Sequence, residues 1–274
     1  MSEIKLQIDK IIQRDGIPYY LKKWNPSSLE NYNLDSLNRY VKKYHSHASI
    51  NFNNSNKNKE DKKLPIIHFY EKDKILYFKF FHYYLDFDDK MEEDDSFTKI
   101  VSIVQKSLQK YKYNGIIIDL RFHKGGWYFP FIRSFDNLFN NKTLFCSTRD
   151  NKECNWTNYK NHKLVWNKQE YKNKLLNNNF PIAVLIGENT ASSGEFIAST
   201  FYRNQSNIKI FGSKTNGRLS NNLTYDINSK IQLNLPISLV RSVDGTFHQK
   251  EYLIPEVKTK YPLKDAKIWI HQNM

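Results

Sequence analysis

The sequence contains few cysteines and no long apolar segment. Among its 274 residues only Cys146 and Cys154 are cysteines. Two are too few for a disulfide framework, and they lack the paired spacing of a structural zinc site. No run of about 18 apolar residues is present, and residues 1–6 carry charges where a signal peptide has an apolar core. We therefore predict no membrane segment and, by default, a cytoplasmic location.

The sequence also lacks the patterns that hold metals and nucleic acids. No cluster of His, Cys and Asp has ligand spacing, so we predict no metal ion and no cofactor. Lysine and arginine number 42 against 28 acidic residues, a net charge of +14. The lysines are scattered among asparagines rather than grouped beside stacking aromatics, so we expect no nucleic-acid partner. Salt-dependent binding of RNA or DNA would support that alternative.

The composition provides enough apolar mass for a folded core. Hydrophobic residues make up 39% of the chain and aromatic residues 15%, which is not the composition of a disordered protein. A polar linker over residues 51–64, rich in Asn, Lys, Asp and Glu, marks the main boundary. The other parts are a helical N-terminal segment over residues 1–50, a core over 65–262 and a C-terminal tail over 263–274.

Helical patterns and buried strands alternate through the core. Two β-like runs, residues 66–70 and 75–81, are separated by four polar residues and predict a hairpin. The segments that follow are a helix over 97–111, buried strands over 116–118 and 182–186, a helix over 194–202 and a strand over 208–211. This alternation predicts an α/β domain.

A serine lies where a buried strand leads into a helix. In the segment Asn189-Thr190-Ala191-Ser192-Ser193-Gly194-Glu195, Ser192 would be held at a helix N-terminus, where free N–H groups favour negative charge. With a base to take its proton, Ser192 is a candidate nucleophile, and the Ser193 amide is a candidate oxyanion donor. An ordinary capping box formed by Ser192 and Glu195 is the alternative interpretation.

A glycine pair follows the first buried strand. The segment Asp119-Leu120-Arg121-Phe122-His123-Lys124-Gly125-Gly126-Trp127 lets the backbone come close to a substrate at Gly125 and Gly126. The Gly126 amide is the second candidate oxyanion donor, while Asp119 and Arg121 are expected to form a buried pair that fixes the loop. A simple turn is the alternative.

Together, in this order, the two segments resemble the C-terminal-processing (tail-specific) serine protease family. In that family a hydrophobic strand ends in Asp-Leu-Arg-x-Asn-x-Gly-Gly, and a later strand leads into Thr-x-Ser-x-x-Glu. Gly-x-x-Thr-x-Gly-Lys follows, and Gly-Ile-x-Pro-Asp comes later. The similar segments here are residues 119–126, 190–195, 212–218 and 252–256. The resemblance covers about residues 66–260.

The resemblance implies a fold and an activity. The fold would be a ClpP/crotonase-like spiral of β-β-α units preceded by the small helical segment. The activity would be that of a serine-type peptidase, forming an acyl-enzyme on Ser192 with unfolded or C-terminal peptide segments of a peptide or protein substrate. The PDZ domain common in the family has no suitable stretch before Ile66. Members of the family are often extracytoplasmic, which is the alternative to the default expectation of a cytoplasmic location. The residues expected to contact substrate are Gly125, Trp127, Thr215, Gly217 and Arg218.

The motifs do not identify which residue acts as the general base. Arg218 stands where many family members place the catalytic lysine, and a guanidinium does not deprotonate near neutral pH. Where other branches use Glu, the sequence has Gln249, with Glu251 two residues on. The candidates are therefore Lys214, His82, His123 and His248. His123 ranks first as a site residue because it replaces the usual Asn beside the glycines.

Two further alternatives follow from the same segments. Trp127, Tyr128 and Phe129 would wall an apolar pocket or belong to the core. Because Arg218 and Gln249 depart from the family pattern, a non-catalytic peptide-binding relic that has lost its base is the alternative to an active peptidase.

Overall fold

The computed structural model describes most of the chain and divides it into two compact units. The first unit comprises Met1–Lys63, Ser147–Asn155 and Ser220–Val240, and the second comprises Leu64–Cys146, Trp156–Leu219 and Arg241–Met274. The described residues are 2–22, 33–52, 67–82, 95–138, 143–149, 155–160, 163–166, 169–172, 180–202, 206–242 and 252–274.

The elements follow in chain order. They are α1 (Ser2–Asp15), α2 (Pro18–Leu21), α3 (Leu34–Tyr44), β1 (Ser49–Phe52), β2 (Ile67–Lys72), β3 (Ile75–Phe80), α4 (Asp95–Lys110), β4 (Gly115–Asp119), α5 (Phe129–Ser134), a 3₁₀ turn (Asp136–Leu138), β5 (Thr143–Thr148), β6 (Asn155–Lys160), β7 (Lys163–Trp166), β8 (Gln169–Lys172), β9 (Ile182–Ile186), α6 (Ser193–Phe201), β10 (Ile208–Gly212), β11 (Ser220–Asp226), β12 (Ile231–Ser242), β13 (Val257–Lys258) and α7 (Pro262–Gln272).

The first unit packs the N-terminal helices on a short antiparallel sheet. β1 pairs with β12, and β12 pairs with β11. Helix α3 begins at a reciprocal cap, in which Asn33 Oδ1 accepts from the Ser36 N–H and Ser36 Oγ accepts from the Asn33 N–H. The expected helical segment over residues 1–50 thus shares its unit with strands from far along the chain. The buried core consists of Ile8, Ile12, Leu37, Tyr40, Val41, Tyr44, Ala48, Ile50, Ile227, Leu233 and Leu235.

The second unit contains a six-stranded sheet in the order β13-β10-β9-β4-β3-β2. All neighbours are parallel except β2, which forms a hairpin with β3. The predicted hairpin is confirmed, and its loop is the pair Asp73 and Lys74. Both have φ near +57°, the left-handed geometry of the tight turns that suit twisted strands. Residues 53–64 of the predicted linker lie outside the described residues, and its first two residues, Asn51 and Phe52, belong to β1.

Helices cover both faces of this sheet, as a parallel sheet requires. Strands β4 and β9 are buried along their whole length. Helix α7 packs on one face through Ala266 and Ile270, so the residues expected to form a C-terminal tail are part of the core. The succession β2–β3–α4 is a β-β-α unit, and the predicted α/β fold is confirmed.

The sheet topology determines where functional residues converge. Because β3, β4, β9 and β10 are parallel neighbours, their carboxyl ends meet at one edge of the sheet. That edge carries the segments after each strand, which are residues 81–82, 120–127, 187–192 and 213–218.

Candidate active site

Ser192 stands at the junction of β9 and α6 in a strained conformation. It immediately precedes the helix and has φ 51° and ψ −117°, a left-handed region that non-glycine residues seldom occupy. A Cβ built on Gly125 would lie 3.2 Å from Ser192 Cβ and 3.7 Å from its Oγ. The glycine loop therefore packs directly against the candidate nucleophile, at a φ of 131° that itself favours glycine.

The two predicted oxyanion donors belong to residues next to Ser192 or next to its contact Gly125. Ser193 is the first residue of α6, where a backbone N–H has no acceptor within the helix. Gly126 directly follows the residue that touches Ser192, and its φ is 109°. The segments that carry the amides of Gly126 and Ser193 are thus brought together at Ser192.

Hydrogen bonds join the serine loop to the end of β4. The Thr190 hydroxyl donates to the Leu120 carbonyl at 2.9 Å and accepts from the Gly187 N–H at 2.9 Å. The Ala191 N–H donates to the His123 carbonyl at 3.0 Å. Since Thr190 is fully buried, these bonds are shielded from water and hold the two loops in register.

Glu195 joins the serine loop to the loop after β10. Its carboxylate is fully buried and accepts from the backbone N–H groups of Ser192 at 2.9 Å, Gly217 at 2.9 Å and Arg218 at 2.8 Å. It also accepts from the Thr215 hydroxyl. Burial raises the pKa of Glu195 to about 7, and the four donors oppose that rise. The predicted capping role covers only the Ser192 contact.

The loop after β10 contacts protein through two residues that we expected to bind substrate. The Thr215 hydroxyl also accepts from the Leu253 N–H at 2.8 Å, and the Asn216 N–H donates to the Thr190 carbonyl at 2.9 Å. The described contacts of Thr215 and of the Gly217 amide are therefore structural. The Arg218 side chain is exposed, with its backbone bound to Glu195.

Asp119 and Arg121 form the expected pair. Asp119 is fully buried, while the Arg121 side chain is 26% exposed. Two parallel bonds join them, Arg121 Nε to Oδ1 at 2.9 Å and Nη2 to Oδ2 at 2.7 Å. The Tyr77 hydroxyl also donates to Asp119. Burial and the neighbouring carboxylate raise the pKa of Tyr77 well above its ordinary value, so the phenol remains a donor and fixes the end of β4.

His123 is buried beneath the serine loop. Its ring packs edge-on to Phe131, with centroids 4.8 Å apart, and Gly194 approaches so closely that an added Cβ would lie 3.2 Å from His123 Nδ1. Neither ring nitrogen has a hydrogen-bond partner among the described residues. Burial lowers the pKa of His123 to about 3, and charge on His82 lowers it further. The ring therefore accepts a proton only weakly at physiological pH, and so weak a base does not suit general-base catalysis.

The other three candidate bases are His82, Lys214 and His248. His82 follows β3 at the edge that carries the glycine loop, is partly buried and is near enough to His123 to affect its titration. Lys214 is exposed, with its ammonium 5.6 Å from the centroid of Tyr252. The segment with His248, Gln249 and Glu251 lies outside the described residues.

Aromatic residues after the glycine pair contact one another and α6. Trp127 and Phe129 have ring centroids 5.7 Å apart, and Tyr128 stacks on Phe196 at 5.2 Å with the planes 10° apart. Phe129 is buried, while Trp127 and Tyr128 are partly exposed. Phe129 is thus core, and Trp127 retains exposed surface beside the glycines.

Three features bear on cofactors and location. Within the described ranges, no group of three or more His, Cys, Asp or Glu side chains is placed to hold a metal ion. No helix in the same ranges combines the length and apolar character needed to cross a bilayer. Cys146 is buried and disulfide-bonded.

Solved structures with the same fold include proteases. A lipoprotein from Streptococcus agalactiae is 21% identical with a TM-score of 0.78, covering 100% of this chain and 96% of that chain. The photosystem II D1 C-terminal processing protease is 14% identical with a TM-score of 0.53, covering 76% of this chain and 52% of that chain. The shared architecture is that of a peptidase fold.

Sequence comparison identifies the family. Residues 84–259 match Peptidase family S41, and because this match spans more than half of the sequence, the chain belongs to Peptidase family S41. The resemblance stated from its motifs is thereby confirmed. The nisin-resistance protein of Lactococcus lactis subsp. lactis is 28% identical over 185 residues, which are 66% of this chain. The chain spans 57% of the length of that curated relative.

Sequence reasoning missed the central part played by Glu195. The motif indicated a helix cap, and nothing in it indicated that the same carboxylate would bind Thr215, Gly217 and Arg218, which lie 20 to 23 residues further along the chain. The only signal was that Glu195 is the single charged residue of the segment 189–195.

Proposed function

We propose that this chain is a serine-type peptidase with Ser192 as its nucleophile. The observation that carries the proposal is the left-handed serine between β9 and α6, with Gly125 packed against its side chain. Strain at one residue persists only where the surroundings impose it, and it is concentrated at functional sites. Hydrogen bonds on both sides of Ser192 provide those surroundings.

The chemistry follows the general course of acyl transfer. Ser192 Oγ attacks the carbonyl carbon of a peptide bond while its proton passes to a base, and the amides of Gly126 and Ser193 stabilise the oxyanion. The C–N bond then breaks as the base returns the proton to the leaving amine. Water attacks the resulting ester, which releases the carboxylic acid and restores the hydroxyl.

His82 is the base that the described residues favour. Arg218 does not deprotonate near neutral pH, and burial keeps the His123 ring neutral and hard to protonate. Lys214 is exposed and lies over Tyr252. His82, by contrast, follows β3 at the edge of the sheet that carries the glycine loop, as the register of Lys79 beside Asp119 supports.

The substrate class is a peptide or protein, as the family implies. An extended segment lying along the carboxyl edge of the sheet would pass Trp127, whose exposed surface suits an apolar side chain. Cleavage near a C-terminus is supported by the D1 C-terminal processing protease among the similar structures, and a nisin-resistance protein is among the relatives.

An extracytoplasmic location fits the chain better than the default expectation. The disulfide at Cys146 is typical of oxidising compartments, and the S. agalactiae protein of the same fold is a lipoprotein.

Labelling with a fluorophosphonate probe tests the nucleophile directly. We expect the intact protein to label, Ser192→Ala not to label, and Ser193→Ala, which keeps its backbone N–H, still to label. Labelling that persists in Ser192→Ala would refute the assignment. A folded, unreactive protein that still binds peptides would instead support the non-catalytic alternative, which Arg218 in the lysine position favours.

A further inference from the structure

We propose that a basic cleft beside the active site binds an acidic segment of the peptide substrate, an inference that rests on the proposed peptidase function. The cleft has a volume of ≈ 500 Å³ and is lined by Arg121, residues 260–264 and Lys267. These residues come from the end of β4 and from the start of α7, both within the second unit. We call this feature the basic cleft.

The carboxylates nearest in sequence to the basic cleft are already engaged. Asp119 is buried and bound by both branches of the Arg121 side chain. Asp265, in the first turn of α7, accepts from the Thr259 hydroxyl. Neither carboxylate forms an ion pair with Lys260, Lys264 or Lys267.

Three lysines leave the basic cleft with uncompensated charge. Lys260 and Lys264 are exposed and Lys267 is partly exposed. Within the described part of the chain, no carboxylate lies within 4.0 Å of any of their ammonium groups. Cations on the rim of a concave surface attract an anionic partner and reject a cationic one.

The lining of the basic cleft also includes apolar residues. Pro262 and Leu263 lie between Lys260 and Lys264 in the chain, next to Tyr261, which is 69% exposed. A surface that combines apolar side chains, an exposed phenol and cations suits a peptide, which presents backbone and methylene groups as well as carboxylates. Anionic lipid headgroups would need only the charges.

The basic cleft is within reach of the nucleophile. Arg121 Cγ lies 3.8 Å from where a Cβ on Gly187 would stand, and residue 187 opens the loop that leads to Ser192. The five Cα–Cα steps from residue 187 to residue 192 span at most about 18 Å. A bound peptide of about six residues therefore extends from Ser192 to the cleft, which makes the cleft a subsite for residues several positions from the cleaved bond.

Peptide binding to the Ser192→Ala protein tests the inference without turnover. The probes are two fluorescein-labelled 12-residue peptides, identical except that three glutamates in one are glutamines in the other. In 50 mM salt we expect the acidic peptide to bind roughly 3- to 150-fold more tightly, the range given by three exposed ion pairs. That preference should shrink in 500 mM salt.

Matched charge removal identifies the site. Substituting Lys260, Lys264 and Lys267 by Gln in the same background should bring the two affinities within about twofold of each other. The control carries Lys10→Gln, Lys42→Gln and Lys230→Gln, three exposed lysines of the first unit, and should retain the full preference. If both triple variants lost the preference for the acidic peptide, the preference would be due to overall net charge, and the inference would be overturned.

The outcomes separate this inference from the proposed function. Equal affinity for both peptides, or no binding of either, in a protein whose Ser192 reacts with fluorophosphonate overturns the cleft and leaves the peptidase intact. A lysine-dependent acidic preference in a protein whose Ser192 does not react supports the cleft and rejects catalysis. Lysine-dependent binding of phosphatidylserine vesicles without any preference between the peptides would also overturn the inference.

Discussion

Replacing Glu195 by glutamine should change how stability depends on pH. The glutamate is fully buried, and its pKa of about 7 exceeds the ordinary value of 4.5. The folded protein therefore binds this proton more tightly than the unfolded chain does. Stability contributed by the protonated form is complete below about pH 4.5, is lost as pH rises through 7, and is then constant.

The size of the effect follows from the two pKa values. Their difference, at about 1.4 kcal/mol per pH unit, corresponds to about 3 kcal/mol. Glutamine does not titrate, so Glu195→Gln should lack this loss. It also presents an NH₂ group to at least one of the backbone N–H donors of Ser192, Gly217 and Arg218, which costs about 1–3 kcal/mol for an unsatisfied buried donor.

Urea unfolding of both proteins at pH 4.5 and pH 8 provides the assay. We expect Glu195→Gln to be less stable than wild type at pH 4.5 and to gain on it by about 3 kcal/mol at pH 8. Glu71→Gln, at an exposed glutamate of the same unit, gives the baseline. A difference between wild type and Glu195→Gln that is the same at both pH values would refute the raised pKa. At pH 8 fluorophosphonate should still label Glu195→Gln more slowly than wild type, because the serine loop loses a hydrogen bond.

Three other substitutions test neighbouring contacts. Gly125→Ala should slow fluorophosphonate labelling at least tenfold, because a φ of 131° and a 3.2 Å approach to Ser192 both oppose a methyl group. The control Gly187→Ala should label at the wild-type rate, because the nearest atoms to its added methyl group are 3.8 Å away. Equal labelling rates for the two variants would contradict the packing of Gly125 against Ser192. His82→Gln should lower the labelling rate by about 10²–10⁴-fold, and an unchanged rate would reject it as base. Tyr77→Phe should lower the free energy of unfolding in urea by about 1.5–3 kcal/mol, because a buried carboxylate loses a donor, and an unchanged urea midpoint would contradict this.

The sequence predicted the sheet and the serine because both are encoded locally. Strand β9 is an unbroken apolar run, and the predicted bounds 182–186 coincide with the observed ones. The α7 helix was taken for a tail, although Leu263, Ala266, Trp269 and Ile270 contact the core cluster at helical spacing. These residues lie beyond the last matched motif, residues 252–256, which set the end of the predicted core.

The partners of buried polar groups were less predictable. Residues 212–218 were matched by their glycines and threonine, yet Thr215 and Gly217 bind Glu195. No sequence pattern links the Glu195 side chain to backbone donors that lie about 20 residues later in the chain. The same holds for His123, which the sequence placed beside the glycines but whose complete burial depends on Phe131 and Gly194.

The strained serine has a consequence for the order of folding. Its loop is bonded to Leu120, 70 residues earlier in the chain, and through Glu195 to residues up to 23 positions later. Before these segments meet, no hydrogen bond holds Ser192 at a positive φ, and its backbone relaxes to a conformation common for serine. A nascent or half-folded chain therefore lacks the conformation that the proposed nucleophile requires until the segment after β10 is in place.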